Sequence, residues 1–437
     1  MSELRDNMYA WFVLLSFSLM FFFVTATTFT SLGVVLPDMV RDLGWDWTSA
    51  GLGFTLLGIS CGLSSYPPAM MIRYTNVRLT VLFGGALMVA GFLCLYEVRG
   101  IWAYFLGTVL AGTGFSFVAT VPGTYVIARC FKKQSMAFGI YYTLGGLGGI
   151  VGPLIYFAAV GIWDNWRMHW MIAAVLTGIA ALIIAIFLRE GEEEDRKAEE
   201  IANDAVVDAA PGVHMTRETW SVAQALHTPQ FYIITAAYVS FLLCGITVNS
   251  LSVAHLTEHG VAMTLAGSLL SIEAFLNSAA RAGSGFMGEF VEPKKLLFVS
   301  LMCLVVGMVA LTLGTSLPVL LVYAAGIGIG YGATFLATSV LLMNYFGRGP
   351  YLELFSMVNV AATLASFGPF FGGYVRDTTG SFAPAFLLFA IVPAVAGGAV
   401  LLMRPPVRSS GDAAPNEGKA EESEGEGLQM EVFGSSS

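Results

Sequence analysis

Arg281 is a lone basic residue inside an apolar stretch that runs from Leu265 to Phe290. A guanidinium keeps its charge in proteins and presents a planar fork that matches a carboxylate. Charge at membrane depth is costly, so a residue left there marks a functional site by default. The spacing adds partners. Glu273, Asn277 and Arg281 are four residues apart and share one helix face. On this reading Arg281 binds an anionic group, Asn277 supports it, and Glu273 titrates nearer the outer side. The competing reading makes Glu273 and Arg281 ties between helices.

Tyr331 and Phe335 are one turn apart, and Phe117 and Thr120 sit at the matching level of an earlier span. All four are candidates to line a cavity around an apolar ligand body, although aromatic stripes at this spacing also serve as packing. Thr28, within the Thr25–Thr30 cluster, and Asn249 are further candidate contacts; threonines in helices often bond only their own backbone. His255 joins Glu273 as a candidate proton carrier. The run His255-Leu256-Thr257-Glu258-His259 fits the H-x-x-E-H spacing of zinc hydrolases. It lies near a turn with no third ligand evident among the other three histidines. A metal, a cofactor and an enzymatic activity are therefore not expected.

These residues belong to a chain of 437 residues that is 56% hydrophobic and 12% charged, with five cysteines. Soluble domains carry roughly 25% charged residues, so the composition predicts a polytopic, all-α membrane protein. Nucleic-acid binding has no basic stripe to support it. The cysteines fall in or beside apolar spans, are odd in number and read as packing residues. The first apolar run is long enough to span and is expected to be retained as a helix.

Spanning takes about 20 apolar residues. Twelve segments qualify: 10–37, 47–73, 78–97, 101–129, 135–161, 166–189, 229–258, 264–290, 294–315, 317–346, 350–376 and 382–403. The expected organisation is a six-helix half over 1–189, an acidic cytoplasmic linker over 190–227, a second six-helix half over 228–403 and a disordered cytoplasmic tail over 404–437. With the N-terminus inside, 16 of the 21 Lys and Arg face inward and four outward. That bias predicts a multi-pass protein of the cell inner membrane with both termini cytoplasmic. The halves echo each other at an offset near 216: Arg78 with Lys294, Gly91 with Gly307, Gly112 and Gly114 with Gly328 and Gly330, and Gly152-Pro153 with Gly368-Pro369. Such repeats build secondary transporters, with substrate held near midplane between the halves.

Three segments carry a family resemblance: Asp6-Asn7-Met8-Tyr9-Ala10-Trp11, Phe131-Lys132-Lys133 followed by Ala137-Phe138-Gly139, and Ala225-Leu226-His227-Thr228-Pro229-Gln230-Phe231-Tyr232. The chain resembles the major facilitator superfamily, and within it the monocarboxylate transporter and oxalate/formate antiporter group. The resemblance implies twelve transmembrane helices in two pseudo-symmetric halves and an eighth-helix Arg, here Arg281, that binds a substrate carboxylate. The family's acidic partner one turn earlier is Asn277 here, and its first-helix Lys falls near Phe29. The expected function is proton-coupled symport of a small monocarboxylate by a monomeric carrier, with exchange of carboxylate anions as the alternative and efflux of a drug or other organic solute as a third reading.

Overall fold

In the computed structural model, residues 2–131, 134–188, 216, 220–287, 291–347 and 350–407 are described. Residues 190–215 of the acidic linker, residues 408–437 of the tail and the side chain of Thr120 lie outside them. All regular structure among the described residues is helical. Hydrocarbon offers the backbone no hydrogen-bond partners, so helices that satisfy their own amides are the natural form for these apolar runs.

The first crossing is α1 (Ser2–Thr27) and α2 (Phe29–Leu43). The break at Thr28 has a local cause. Thr28 Oγ1 donates to the Val24 carbonyl at 2.7 Å and Ser31 Oγ to that of Ala26, so hydroxyls compete with the helix ladder. α3 (Trp47–Leu63) starts at Asp46, whose side chain accepts from Ser49 N. It gives way to α4 (Tyr66–Tyr74), where Pro67 and Pro68 occupy the first turn. α5 (Val77–Tyr96) follows, then α6 (Ile101–Phe115) and α7 (Val121–Cys130), joined by a π-helical turn at Ser116–Thr120. α8 (Gln134–Trp163) and α9 (Arg167–Phe187) complete the first six crossings.

A short α10 (Val222–Leu226) leads into α11 (Pro229–Glu258). Pro229 stands in the first turn, where a missing N–H costs nothing, and Thr228 Oγ1 turns back to the Ala225 carbonyl at 2.7 Å and does not cap α11. Then come α12 (Met263–Met287), α13 (Pro293–Leu313), α14 (Leu317–Phe346), α15 (Tyr351–Ala362) with α16 (Gly368–Thr379), and α17 (Ala383–Leu402).

Ten segments among the described residues are long and apolar enough to cross a membrane. The other two expected crossings are α3, 17 residues before α4 extends it, and α12, whose apolarity is lowered by Glu273, Asn277 and Arg281.

The repeat is visible as chemistry. Arg78 at the start of α5 donates to the Leu188 carbonyl just past α9, and Lys294 at the start of α13 donates to the Met403 carbonyl just past α17. In each half a basic residue thus satisfies a carbonyl that the last helix leaves free. Helix contacts repeat as well. A Cβ on Gly114 would stand 2.9 Å from Met88 N, and one on Gly330 would stand 2.8 Å from Leu304 N, each 216 residues apart.

The two halves are pressed together at one end. Asp377 at the end of α16 accepts from Thr48 N at 2.8 Å and from Trp47 N at 3.3 Å, so it caps the N-terminus of α3 across the halves. Trp47 packs on Phe382 with ring centroids 5.1 Å apart, and Tyr156 of α8 bonds Asp38 of α2 and meets Met263 of α12. Contact continues down to Gly62 against Thr363 on one side and Gly146 against Ser278 on the other. Past that level Glu353, Ser356, Met357 and Val360 of α15 are exposed and border an open recess of about 490 Å³. The cleft therefore opens away from the Asp377 end. An N-terminal cap contributes about 1 kcal/mol. Asp377→Ala is expected to raise the population with that end open about 5-fold, measured by labelling a cysteine introduced at Thr48 with an impermeant maleimide.

Candidate functional site

Arg281 lies one turn past Ser278, where the halves part, and is half-buried. Its Nε donates to Asn277 Oδ1 at 2.9 Å. The guanidinium carbon stands 4.8 Å from the centre of the Phe335 ring and 5.9 Å from that of Tyr331. Four of the predicted residues, Arg281, Asn277, Tyr331 and Phe335, are thus brought together. α12 and α14 can approach this closely because Gly332 faces Asn277: a Cβ there would lie 2.2 Å from the Asn277 carbonyl oxygen.

Aromatic rings from other helices extend the site. Tyr142 of α8 meets Phe335 at 5.6 Å and brings the first half to the site. Tyr238 and Phe241 of α11 pack edge to face at 4.9 Å, and Phe241 meets Tyr331 at 4.8 Å. The Tyr238 hydroxyl donates to Asn359 Oδ1 at 3.1 Å. Sequence reasoning missed Tyr142, Tyr238 and Asn359. Their signal was a tyrosine or amide inside an apolar span, which many packing residues share.

Among the described residues no carboxylate lies within ion-pair distance of Arg281. Its Nε is engaged and its faces carry aromatic rings, which leaves the two terminal amino groups as donors. Two parallel N–H groups beside an apolar wall can hold one carboxylate of an organic acid.

Glu273 is two turns away on the same face and only 4% exposed. It sits against Tyr323 of α14, not beside Arg281. Gly328 packs against its backbone carbonyl. The remaining candidates lie elsewhere. Phe117 packs inside the first half on Phe83, at 5.3 Å, and on Gly84. The Thr28 hydroxyl is spent on its own helix. Asn249 offers its backbone to Gly33 at the closed end. His255 Nε2 bonds the Leu311 carbonyl at 3.2 Å, and the ring packs on Phe386 at 5.3 Å.

The H-x-x-E-H run is occupied by structural contacts. Arg376 Nε donates to both Glu258 oxygens, at 3.0 and 3.1 Å, and His259 Nδ1 lies 2.7 Å from the His255 carbonyl. Among the described residues no three His, Cys, Asp or Glu side chains gather as metal ligands would.

The sequence profile of the Major Facilitator Superfamily matches residues 17–287 and 233–430, nearly the whole chain. The chain belongs to this superfamily. It is a multi-pass membrane transport protein and not an enzyme. This facilitator is 23% identical over 278 residues to the oxalate:formate antiporter of Oxalobacter formigenes, which spans 59% of this chain and 62% of that protein. It is also 23% identical over 419 residues to the hexuronate transporter of Bacillus subtilis, covering 89% of this chain and 93% of that one. In three dimensions it is similar to the crystal structure of a bacterial homolog of the human lysosomal transporter Spinster in an inward-facing, occupied conformation. The TM-score is 0.69 at 17% identity, covering 90% of this chain and 96% of the other. At that identity the likeness speaks to the fold. The facilitator thus carries the superfamily's fold, and where its halves part Arg281 has no carboxylate partner among the described residues.

Proposed function

We propose that this protein is a secondary transporter of small monocarboxylates, working by alternating access and coupled to protons. The observation that carries the reading is Arg281: a cation with no carboxylate partner among the described residues, set among aromatic rings where the two halves separate. One cation suits one carboxylate. A second carboxylate on the substrate would enter the aromatic surroundings without a counter-charge, which is costly. Of the anions in the names of the two relatives above, formate and hexuronate carry one carboxylate and oxalate two, so the names support the carboxylate class and the lone cation the restriction to one.

Coupling follows from the membrane potential. Carrying an anion against a negative interior costs about 2.3 kcal/mol per charge per 100 mV, and one co-transported proton removes that cost. Glu273 and His255 are the candidate carriers. Taking the N-terminus as cytoplasmic, the open cleft faces the cytoplasm of the cell inner membrane. A monomer contains the whole site.

Anion exchange is the second reading, favoured by the antiporter named among the relatives. In proteoliposomes, symport predicts accumulation of labelled monocarboxylate under an inward proton gradient, abolished by an uncoupler and indifferent to a potassium-valinomycin potential. Uptake that ignores the gradient and requires internal anion would install exchange instead. Uptake of an organic cation with no response to carboxylates would remove the carboxylate assignment.

A further inference from the structure

We infer that Glu273, Tyr323 and Ser252 form the proton-binding site, separate from the anion anchor at Arg281. This deepens the symport reading and rests on it for the coupling, though not for the proton itself. The three side chains come from α12, α14 and α11. Glu273 is 4% exposed, and Tyr323 and Ser252 are fully buried. Glu273 Oε2, the Tyr323 hydroxyl and the Ser252 hydroxyl all lack a hydrogen bond of good geometry, although Tyr323 lies against both of the others. Such an unsatisfied buried carboxyl is costly to keep, and no cation among the described residues compensates it.

Packing does not require the carboxyl. At the repeat offset of 216 the counterpart of Glu273 is Leu57, with Cys61 for Asn277 and Ser65 for Arg281. Leu57 is buried and its carbonyl faces Gly112, just as the Glu273 carbonyl faces Gly328. The same place in the fold is filled by leucine in one half and by glutamate in the other. The polar stripe is a departure from the repeat confined to the half that carries Arg281.

The groups around Glu273 are few. From α14 come Tyr323 and, further along, Tyr331; Ser252 of α11 adjoins Tyr323. From α8 the contact is Gly149 on Ala274, beside the Ile150 carbonyl that accepts from Ser271 at 2.8 Å. A proton that adds to a Glu273 oxygen makes a neutral acid whose O–H can donate to the Tyr323 oxygen while the Tyr323 O–H turns to Ser252, and its release reverses the step.

Eight residues of helix put Glu273 and Arg281 about 12 Å apart along α12, so the two charges do not form an ion pair. They are coupled through the net charge that the cleft must enclose when it closes. With the carboxylate bound and Glu273 protonated, the enclosed charge is zero. With the anchor empty and Glu273 ionised, it is zero again. Either half-loaded state encloses one net charge in a poorly solvated cavity and is disfavoured. The rule yields one proton per carboxylate, and it makes Glu273→Gln a prediction. Glutamine is permanently neutral, so only the anion-loaded state closes without net charge.

Glu273→Gln is therefore expected to lose proton-driven net uptake by at least 10-fold while keeping exchange of labelled for unlabelled monocarboxylate. Accumulation by Glu273→Gln that follows the pH gradient as the parent does would overturn the site. So would a parent driven by a sodium gradient and not by protons. Infrared titration reads the site without any substrate. The parent should show a protonated-carboxyl band that disappears as pH rises, and Glu273→Gln should lack it. No such band in the parent, or its persistence in the variant, would also overturn the assignment. A parent that carries no carboxylate yet shows the band would sink the carboxylate reading alone.

Discussion

Arg281→Ala is expected to lower monocarboxylate uptake at least about 100-fold while the purified protein stays monodisperse. Removing one partner of a desolvated, hydrogen-bonded charge pair costs about 3 kcal/mol, and each 1.4 kcal/mol is tenfold. The loss should appear in binding as well as in transport, because the anchor acts on the bound substrate. Arg281→Lys is expected to fall about 10-fold: the charge is kept, but an ammonium cannot offer two parallel donors or lie flat on Phe335. Initial-rate uptake and a thermal-shift titration with the same acid measure the two effects. Uptake by Arg281→Ala at the parent's rate would remove the guanidinium from the substrate site.

The second large effect is conformational. At Gly51 a Cβ would lie 2.2 Å from the Pro369 carbonyl oxygen, and at Gly33 1.6 Å from that of Asn249. Both contacts cross between the halves at the closed end, and both obstacles are backbone, which no rotamer change relieves. Gly51→Val is therefore expected to prevent closure of that end and to hold the carrier open on the opposite side from the cleft described above. A strain of about 3 kcal/mol shifts the balance between the two states about 100-fold. Net uptake should fall accordingly. A cysteine placed at Asn249, in a background whose five native cysteines are replaced, should become accessible to an impermeant maleimide. Gly33→Val should behave likewise. Retained transport with an unlabelled cysteine in both variants would show that these contacts do not form the seal.

Some of the site could be read without coordinates because helices have a fixed period. Four-residue spacing put Glu273, Asn277 and Arg281 on one face, and the Asn277–Arg281 bond at 2.9 Å realises it. Tyr331 and Phe335 were legible for the same reason, being one turn apart on α14. Tyr142 and Tyr238 were not, since their approach depends on how α8 and α11 cross the others. Thr28 and Phe117 show the converse. Their residue types suit a cavity, yet one hydroxyl bonds its own helix and one ring packs on Phe83 inside its half.

Composition and hydropathy alone required a bundle of membrane-spanning helices, because runs this apolar have no other solvent and their amides no other partner than the helix itself. The repeat at 216 residues was likewise present in the string, and it called for two similar halves. What only the tertiary structure decided is which buried polar groups meet. It set Glu273 beside Tyr323, which Ser252 adjoins, and away from Arg281, and it spent His255 on the Leu311 carbonyl. It also sealed the halves at Asp377 and left the α15 face around Glu353 exposed. The division has one physical cause. Periodicity within a helix is local and is written in consecutive residues, whereas contact between helices depends on small residues such as Gly328 and Gly332, whose effect appears only once a second helix lies against them.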